Sequence, residues 1–246
     1  MNDKTRFNIE IAGVAAAIEC TYEHNRDFLH DYMTDKTPEL FISPSEEDLQ
    51  SIFSEFQKSD EFQENPGFSY NNYFIENNAI HALLAESLVD FNVLLMHGSA
   101  IVMDNEAYIF TAPSGTGKST HTRLWLRNFG DRAYIINDDK PMLKVSDENI
   151  LVYGTPWDGK HHISRNTSAP LKAIIQLTRD EENHIEPLMP KDAFPLLLRQ
   201  CYRTKDALRM SKVLQMEQRI LETVKCYKLG CNMDPSAAIV AYEGMK

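Results

Sequence analysis

Short runs of alternating apolar and polar residues occur along the chain, and residues with helical spacing lie between them. Residues 6–20 alternate and carry β-branched side chains, which predicts one or two strands. "SEEDLQSIFSEFQ" predicts a helix started by Ser45, with acidic residues in its first turn. Residues 78–91 place their apolar side chains on one helical face, which predicts an amphipathic helix. Those apolar side chains are Ile80, Leu83, Leu84, Leu88 and Phe91.

From Val93 onward, apolar runs typical of buried strands are more frequent. Residues 93–103 and 107–111, around the turn "DNE", predict a hairpin or two adjacent strands. "STHTRLWLRNFG" predicts a helix that ends at Gly130. Further strands are predicted at 132–137, 141–154 (two strands around a turn) and 169–179, and helices at 189–203, 207–226 and from Asp234–Pro235 onward.

This alternation of elements predicts a mixed α/β protein with a boundary near residues 75–95. We expect a small acidic α+β part at 1–78 and a larger domain at 79–246. Residues 1–96 hold 5 Lys+Arg and 18 Asp+Glu, against 20 and 18 in the remainder, which together give the net charge of −11. The acidic part is interpreted either as a solvated surface or as a docking face for a basic partner.

Composition also narrows the classes of function. The chain has no basic stripe of the kind that binds nucleic acid, and no run of ~20 apolar residues that would span a membrane. It lacks a basic region followed by an apolar core at its N-terminus, so no secretory signal is expected. Its four cysteines form no C-x-x-C pair, which predicts reduced thiols and a cytoplasmic protein.

The stretch "APSGTGKST", residues 112–120, lies between a predicted strand and a predicted helix. It matches the phosphate-loop pattern G-x-x-x-x-G-K-[ST] except at its first position, which is Ala112. Such a loop turns backbone N–H groups and a helix N-terminus toward an anion, and glycines supply positive φ. Lys118 would reach the outer phosphates and Ser119 would bind Mg²⁺. A small residue at position 112 suffices if its φ is negative.

Two adjacent carboxylates follow the next predicted strand, in "AYIINDDKP". We expect this strand to lie beside the strand that carries the loop, which would bring Asp138 and Asp139 close to the phosphates. There they could bind Mg²⁺ or accept a proton from an attacking hydroxyl. The alternative is a polar turn with two solvated acids.

Two further stretches carry candidate chemistry. His97 in "LLMHGSA" is either a core side chain or part of the site. "GTPWDGKHHISRN" predicts a loop anchored by Trp157 that covers the nucleotide or the acceptor, the alternative being an ordinary connection. His161 and His162 lack a third metal ligand. Three arginines either stabilise phosphate charge or line a helix face, and we favour the helix face: Arg199, Arg203 and Arg209.

His-Gly, the loop and the Asp-Asp pair, in this order and spacing, resemble the HPr kinase/phosphorylase catalytic domain and its relatives. The resemblance covers about residues 93 to 180, and Ser114–Gly115 matches that family better than ordinary P-loop NTPases. It implies a phosphoenolpyruvate-carboxykinase-like P-loop fold, with a mixed sheet and flanking helices. It also implies an ATP-dependent kinase whose acceptor is a serine-type hydroxyl, on free serine, a peptide or a protein. Relatives form oligomers, which makes a homo-oligomer one alternative, and the sequence itself leaves the oligomeric state open.

The resemblance also implies roles for individual residues. Asp138 would be the general base, acting with Lys118 and His97, while Asp139 would assist at the metal; the reverse assignment of the two aspartates stays open. ATP would be bound by Ser114, Gly115, Thr116, Gly117, Lys118, Ser119 and Thr120. Mg²⁺ would be bound by Ser119, Asp138 and Asp139.

The chain departs from that family at Ala112, in lacking its further metal-binding glutamate signature, and throughout its N-terminal part. HPr itself is therefore not the expected acceptor, and the chain looks more like divergent bacterial relatives. These include kinases of free serine and enzymes encoded beside peptide-modification genes. A second hypothesis is a nucleotide-binding regulatory or partner protein with weak or no catalysis, whose acidic N-terminal part is the docking surface.

Overall fold

The computed structural model describes residues 4–58 and 71–246. The chain divides into two compact units, Met1–Leu88 and Val89–Lys246. A helix over Asn72–Leu88 ends the first unit and runs across the 78/79 position at which the sequence suggested a boundary. Part of the acidic segment, residues 59–70, lies outside the described residues.

The N-terminal unit is an α+β arrangement built on three strands. β1 (Thr5–Ile11) and β2 (Val14–Cys20) pair antiparallel, and β3 (Leu40–Ile42) pairs parallel with β2. The predicted strands at 6–20 are thus confirmed as a hairpin. The described helices of this unit are α1 (His24–Phe28), α2 (Glu46–Gln57) and α3 (Asn72–Leu88).

Two hydrogen-bonded carboxylates fix loops in this unit. The Ser45 hydroxyl accepts from the Asp48 N–H at 3.2 Å, and the Asp48 carboxylate accepts from the Ser45 N–H at 2.8 Å. This capping box confirms the predicted start of α2. Glu76 of α3 is buried and accepts from the N–H groups of Thr21 at 2.7 Å and Tyr22 at 3.0 Å. The buried carboxylate therefore holds the chain where β2 ends.

The C-terminal unit contains the remaining elements, joined in part by short 3₁₀ turns. Its strands are β4 (Val93–Leu95), β5 (Ser99–Met103), β6 (Glu106–Thr111), β7 (Ala133–Asn137), β8 (Met142–Val145), β9 (Ile150–Tyr153), β10 (Ser168–Arg179), β11 (His184–Pro187) and β12 (Lys225–Cys231). Its helices are α4 (Lys118–Phe129), α5 (Pro190–Gln200), α6 (Ala207–Thr223) and α7 (Ser236–Gly244).

These strands form one mixed sheet that curls where β10 changes partners. Seven strands follow the order β4-β8-β9-β10-β6-β5-β7, with β12 paired to β10 and β11 paired to β12. The first residues of β10 pair antiparallel with β9, and its later residues pair parallel with β6 and β12. β5 and β6 form the predicted hairpin, whose turn residues Asp104 and Asn105 have φ of 50° and 68°.

Helices cover both faces of the sheet. On one face, α4 and α7 pack on the strands through a cluster that includes Leu124, Trp125 and Ala238. On the other face, α5 and α6 pack through Leu197 and Val213. The phosphate loop and the Asp138–Asp139 segment each follow a strand of this covered sheet. The buried strands therefore fix the points at which the two segments begin.

The predicted elements are confirmed over most of this unit, and two helix ends are wrong. α5 was expected to continue to residue 203, but it ends at Gln200. α6 was expected to continue to residue 226, but it ends at Thr223 and the chain enters β12. β12 lies between β10, to which it is parallel, and β11, to which it is antiparallel. It is buried on most positions, so it lacks the alternation that marks a half-exposed strand. β11 was not predicted. The four cysteines are buried and free, as expected.

Within the two described stretches, each helix is too short or too polar to cross a membrane.

Candidate active site

The loop at 112–117 joins the end of β6 to the start of α4 and has the conformation that its glycines allow. Gly115 has φ of 74° and Gly117 has φ of 123°, where side chains are strained. Gly117 is the N-cap of α4, and no side chain of the described residues caps this helix end. Ala112 is fully buried with negative φ, so a small residue fills the first loop position without strain.

Arg179, the last residue of β10, ties the outer part of the loop to the sheet. Its guanidinium donates to the carbonyl of Gly115 at 2.6 Å and to that of Thr116 at 3.2 Å. Both carbonyls are therefore turned toward the arginine. A loop held in this way has its conformation set before any anion arrives.

The two aspartates follow β7, and β7 does not lie beside β6 as the sequence suggested. β5 lies between them, because the tight hairpin makes β5 the neighbour of β6. β5 is antiparallel to both, so β6 and β7 run in the same direction and end at the same edge of the sheet. The carboxylates therefore still reach the loop.

Asn137 shapes the turn that carries the aspartates. It is fully buried, and its side-chain carbonyl accepts from the N–H groups of Asp139 at 2.9 Å and Lys140 at 2.6 Å. Its amide donates to the carbonyl of Thr155 at 2.9 Å. This is an Asx turn locked from both sides, which fixes the direction in which both acids leave the strand.

Asp138 is 5% exposed and is oriented by hydroxyl groups. The Ser99 hydroxyl donates to its Oδ1 at 2.5 Å. Ser99 Oγ is also 3.0 Å from Thr122 Oγ1, and the Thr122 hydroxyl lies 3.4 Å from the carbonyl of Lys118. A continuous set of hydrogen bonds thus connects Asp138 with the first turn of α4.

Asp139 lies within hydrogen-bonding distance of His97. The distance from His97 Nε2 to Asp139 Oδ1 is 3.3 Å, and His97 Nδ1 is 3.1 Å from Gln200 Oε1. Burial raises the pKa of Asp139, but the His97 hydrogen bond and the charges of Lys140, His97 and Lys118 outweigh it, so the net pKa is lowered. The carboxylate is therefore ionised at neutral pH.

Lys118 is 8% exposed and donates to the carbonyl of Ala112 at 3.1 Å, so its ammonium lies against the start of its own loop. Burial lowers its pKa, and the charges of Asp139 and Asp138 oppose that change. The positive charge of Lys118 and the negative charges of Asp138 and Asp139 therefore interact directly.

The loop around Trp157 borders the site formed by Lys118 and the two aspartates. Trp157 is 6% exposed, as expected of an anchor, and Asp158 beside it is buried. Asp158 Oδ1 is 3.4 Å from His162 Nδ1, and His162 has φ of 49°. Burial raises the pKa of Asp158. The anchored turn between them presents Lys160 toward the site.

These groups enclose a cavity of about 430 Å³, which we call the first cavity. Its lining is His97, Ser114, Gly115, Gly117, Lys118, Ser119, Thr120, Asp138, Asp139, Gly159, Lys160 and His161. Of the residues predicted to form the site, Thr116 alone is outside this lining. Three residues of the Trp157 loop, Gly159, Lys160 and His161, also line this cavity.

The oxygen ligands suit magnesium. Ser119, Asp138 and Asp139 share the first cavity, and hydroxyl and carboxylate oxygens are ligands that Mg²⁺ accepts. No cluster of three His, Cys, Asp or Glu side chains able to hold a metal occurs among the described residues. The set therefore fits an ion that takes its other ligands from bound phosphates and water.

The three arginines singled out in the sequence, Arg199, Arg203 and Arg209, do not line the first cavity. Arg203 lies 3.7 Å from Glu217, and Arg209 lies 2.9 Å from Asp90. Arg199 is exposed on its helix. Arg199 and Arg209 lie on helices, as favoured, whereas the expectation is wrong for Arg203, which lies in the segment between α5 and α6.

Comparisons with known proteins give distant similarity to solved structures only. No protein-family model matches the chain, and no curated protein matches it. Among solved structures, the HPr(Ser) kinase/phosphatase from Coxiella burnetii is similar, with 13% sequence identity and a TM-score of 0.30. The similarity covers 52% of this chain and 91% of that chain. A TM-score this low identifies neither the fold nor the activity.

Proposed function

We propose that this protein is an ATP-dependent kinase that phosphorylates a serine-type hydroxyl. One observation carries the proposal: a single cavity contains the phosphate loop, Lys118 and the buried carboxylate of Asp138. The sequence resemblance to HPr-kinase-like proteins supports it. The fold proposed on the same grounds is the phosphoenolpyruvate-carboxykinase-like P-loop fold.

In the proposed reaction, the loop and the N-terminus of α4 bind the phosphates of ATP, and Lys118 leaves the Ala112 carbonyl to contact them. Bound magnesium, held by Ser119 and the aspartates, would supply positive charge that neutralises the phosphates. Positioning and charge neutralisation account for most of the rate of such transfers.

Asp138 is the proposed general base. Its Oδ1 accepts the Ser99 hydroxyl, which orients the carboxylate toward the acceptor in the first cavity. The acceptor hydroxyl gives its proton to Asp138 as its oxygen bonds to the terminal phosphorus. The bond from that phosphorus to ADP breaks, so the products are a phosphate ester and ADP.

Calorimetric titration with MgATP tests the nucleotide site. K118A is expected to weaken ATP binding about 100-fold, because it removes a charged hydrogen-bond donor from the phosphates. The control is K172A, which removes a lysine on β10 that pairs with Glu106 outside the site. Unchanged ATP affinity in K118A would reject the assignment.

Transfer of label from γ-labelled ATP, first to free serine and then to proteins and peptides of a cell lysate, tests the chemistry. D138N is expected to lose at least about 100-fold in turnover and still to bind ATP through the loop, Lys118 and Asp139. The exposed Asp131 provides the control variant D131N. If the wild-type protein binds ATP and labels no acceptor, the protein is the nucleotide-binding regulator of the second hypothesis.

A further inference from the structure

A second cavity, of about 620 Å³, adjoins the phosphate loop on the side of β10 and β12. It shares Gly115, Gly117 and Thr120 with the first cavity, so one loop borders both. The proposed kinase reaction assigns no role to this second cavity.

The floor of the second cavity is apolar. Leu124 of α4, Leu177 of β10 and Cys231 of β12 line it, and each of these side chains is at most 6% exposed. At its rim lies Met233, which is 78% exposed. A flat aromatic group that entered here would cover the apolar floor and the methionine together, and thioethers contact aromatic rings favourably.

Polar groups lie at the rim, at the end of β10. The Arg179 guanidinium is there, already bound to two loop carbonyls. Beside it, Asp180 accepts from the Glu181 N–H through its Oδ1 at 2.7 Å, so its carboxylate has a fixed place. A guanidinium stacks on aromatic rings, and a carboxylate accepts from the hydroxyl groups of a sugar.

The positions of the two cavities indicate in which direction a nucleotide would lie along the loop. The first cavity holds Lys118 and both aspartates, which marks it as the place of the terminal phosphate. A triphosphate chain that begins there and follows the loop toward Thr120 leaves the first cavity at the glycines that both cavities share. The group at its other end then arrives above Leu124 and Leu177.

We propose that the second cavity binds the nucleoside of the bound nucleotide, with its base on the apolar floor and under Met233. This inference rests on the proposed nucleotide site, and it adds the part of that site that distinguishes a nucleotide from bare polyphosphate. Nucleotide preference is then set by residues of β10, α4 and the segment after β12, outside the phosphate-loop motif.

Paired titrations with MgATP and with magnesium tripolyphosphate test this inference. M233A removes an exposed side chain, so folding is preserved, and it is expected to weaken ATP binding about three- to tenfold. Tripolyphosphate affinity should not change, because that ligand has no nucleoside. L208A is the matched control, since Leu208 is 79% exposed and does not line the cavity.

Labelling of Cys231 with iodoacetamide, measured by mass spectrometry, gives a second readout. Burial raises the pKa of this thiol to about 11, so the reaction is carried out at alkaline pH. ATP should slow labelling of Cys231 and tripolyphosphate should not. Cys226, on the same strand and outside the cavity, is the internal control.

The outcomes separate this inference from the kinase proposal. If neither ATP nor tripolyphosphate binds, the kinase proposal fails. If both bind but ATP does not protect Cys231, the nucleoside assignment is wrong and the kinase proposal stands. Protection by tripolyphosphate, or a loss of acceptor affinity in M233A at unchanged ATP affinity, also rejects the assignment. Where the two readouts differ, protection of Cys231 decides.

Discussion

Arg179 holds the outer carbonyls of the phosphate loop from a strand that follows the loop by some 60 residues. Its two hydrogen bonds reach Gly115 and Thr116, the segment in which positive φ makes the backbone most adaptable. Without the arginine, the loop would have to be ordered by the phosphate itself, at a cost in binding free energy.

R179A is therefore expected to weaken binding of both ATP and tripolyphosphate by about tenfold. R179K should recover little of this loss, since one ammonium does not reproduce a guanidinium that serves two carbonyls. Calorimetry measures both ligands. R127A, which removes an exposed arginine of α4, is the control. Equal affinities in R179A and wild type would show that the loop keeps its shape without the arginine.

The sequence predicts the site residues that belong to a local motif. It misses residues that contact the motif in the fold but are distant from it in sequence. Loop and aspartates are recognisable because their spacing is fixed by one strand, one turn and one helix. Ser99 contacts Asp138 across 39 positions and Gln200 contacts His97 across 103, so only the tertiary fold reveals them. Asn137 had a local signal, an Asn at a strand end before two acids, which is typical of an Asx turn.

At the scale of elements, the edge of the sheet that carries the site depends on a close approach at Gly154. A Cβ there would lie 2.0 Å from the carbonyl oxygen of Arg165 and 2.6 Å from that of Ile136. Both are backbone atoms, and the Arg165 N–H donates to the same Ile136 carbonyl at 3.0 Å. A side chain would have to separate β7 from the segment that follows the Trp157 loop.

G154A is therefore expected to destabilise the C-terminal unit by about 3 kcal/mol or more and to weaken ATP binding. G230A is the matched control. The three atoms nearest to a Cβ at Gly230 belong to the imidazole of His184, an exposed side chain that can rotate away. Denaturant unfolding compares the two variants. Equal losses of stability would contradict the claim that the backbone contact at Gly154 cannot relax.

Elements were predictable where burial is one-sided. α2 has an N-cap signal and β1 alternates, so each could be recognised from its own residues. Five of the seven residues of β12 are buried, and the buried run is interrupted only at Lys228, so the strand shows no alternation. Its partner β10 is also distant in sequence. The position of β5 between β6 and β7 was also missed, because strand order depends on hairpin pairing and not on the residues of β7.

At the scale of the whole molecule, charge is segregated along the chain. Residues 1–96 carry a balance of −13 and the remainder +2. The division into compact units follows Leu88, inside the range over which the sequence changes character. Composition therefore indicates that the chain has two parts. It does not indicate which charged side chains become buried, because that depends on packing in the folded protein.

Glu217 is such a buried charge in the C-terminal unit. It is fully buried on α6, with the Arg203 guanidinium 3.7 Å from its Oε1. Its pKa is raised from 4.5 to about 7, because burial outweighs the opposing effects of the Arg203 charge and the nearby Cys201 thiol. The folded protein thus keeps a proton that the unfolded chain releases, between about pH 4.5 and 7.

The stability of the C-terminal unit should therefore fall as pH rises through that window and level off above it. E217Q keeps the shape and removes the charge, so its stability relative to wild type should rise by up to about 3 kcal/mol between pH 5 and 8. Arg203 is one-third exposed and can be hydrated when its partner is neutral.

Urea unfolding at pH 5 and at pH 8 measures this difference in stability. E222Q, a change at an exposed glutamate of the same helix, should show none of it. An equal pH dependence in E217Q and wild type would mean that Glu217 is charged in the folded protein throughout this range.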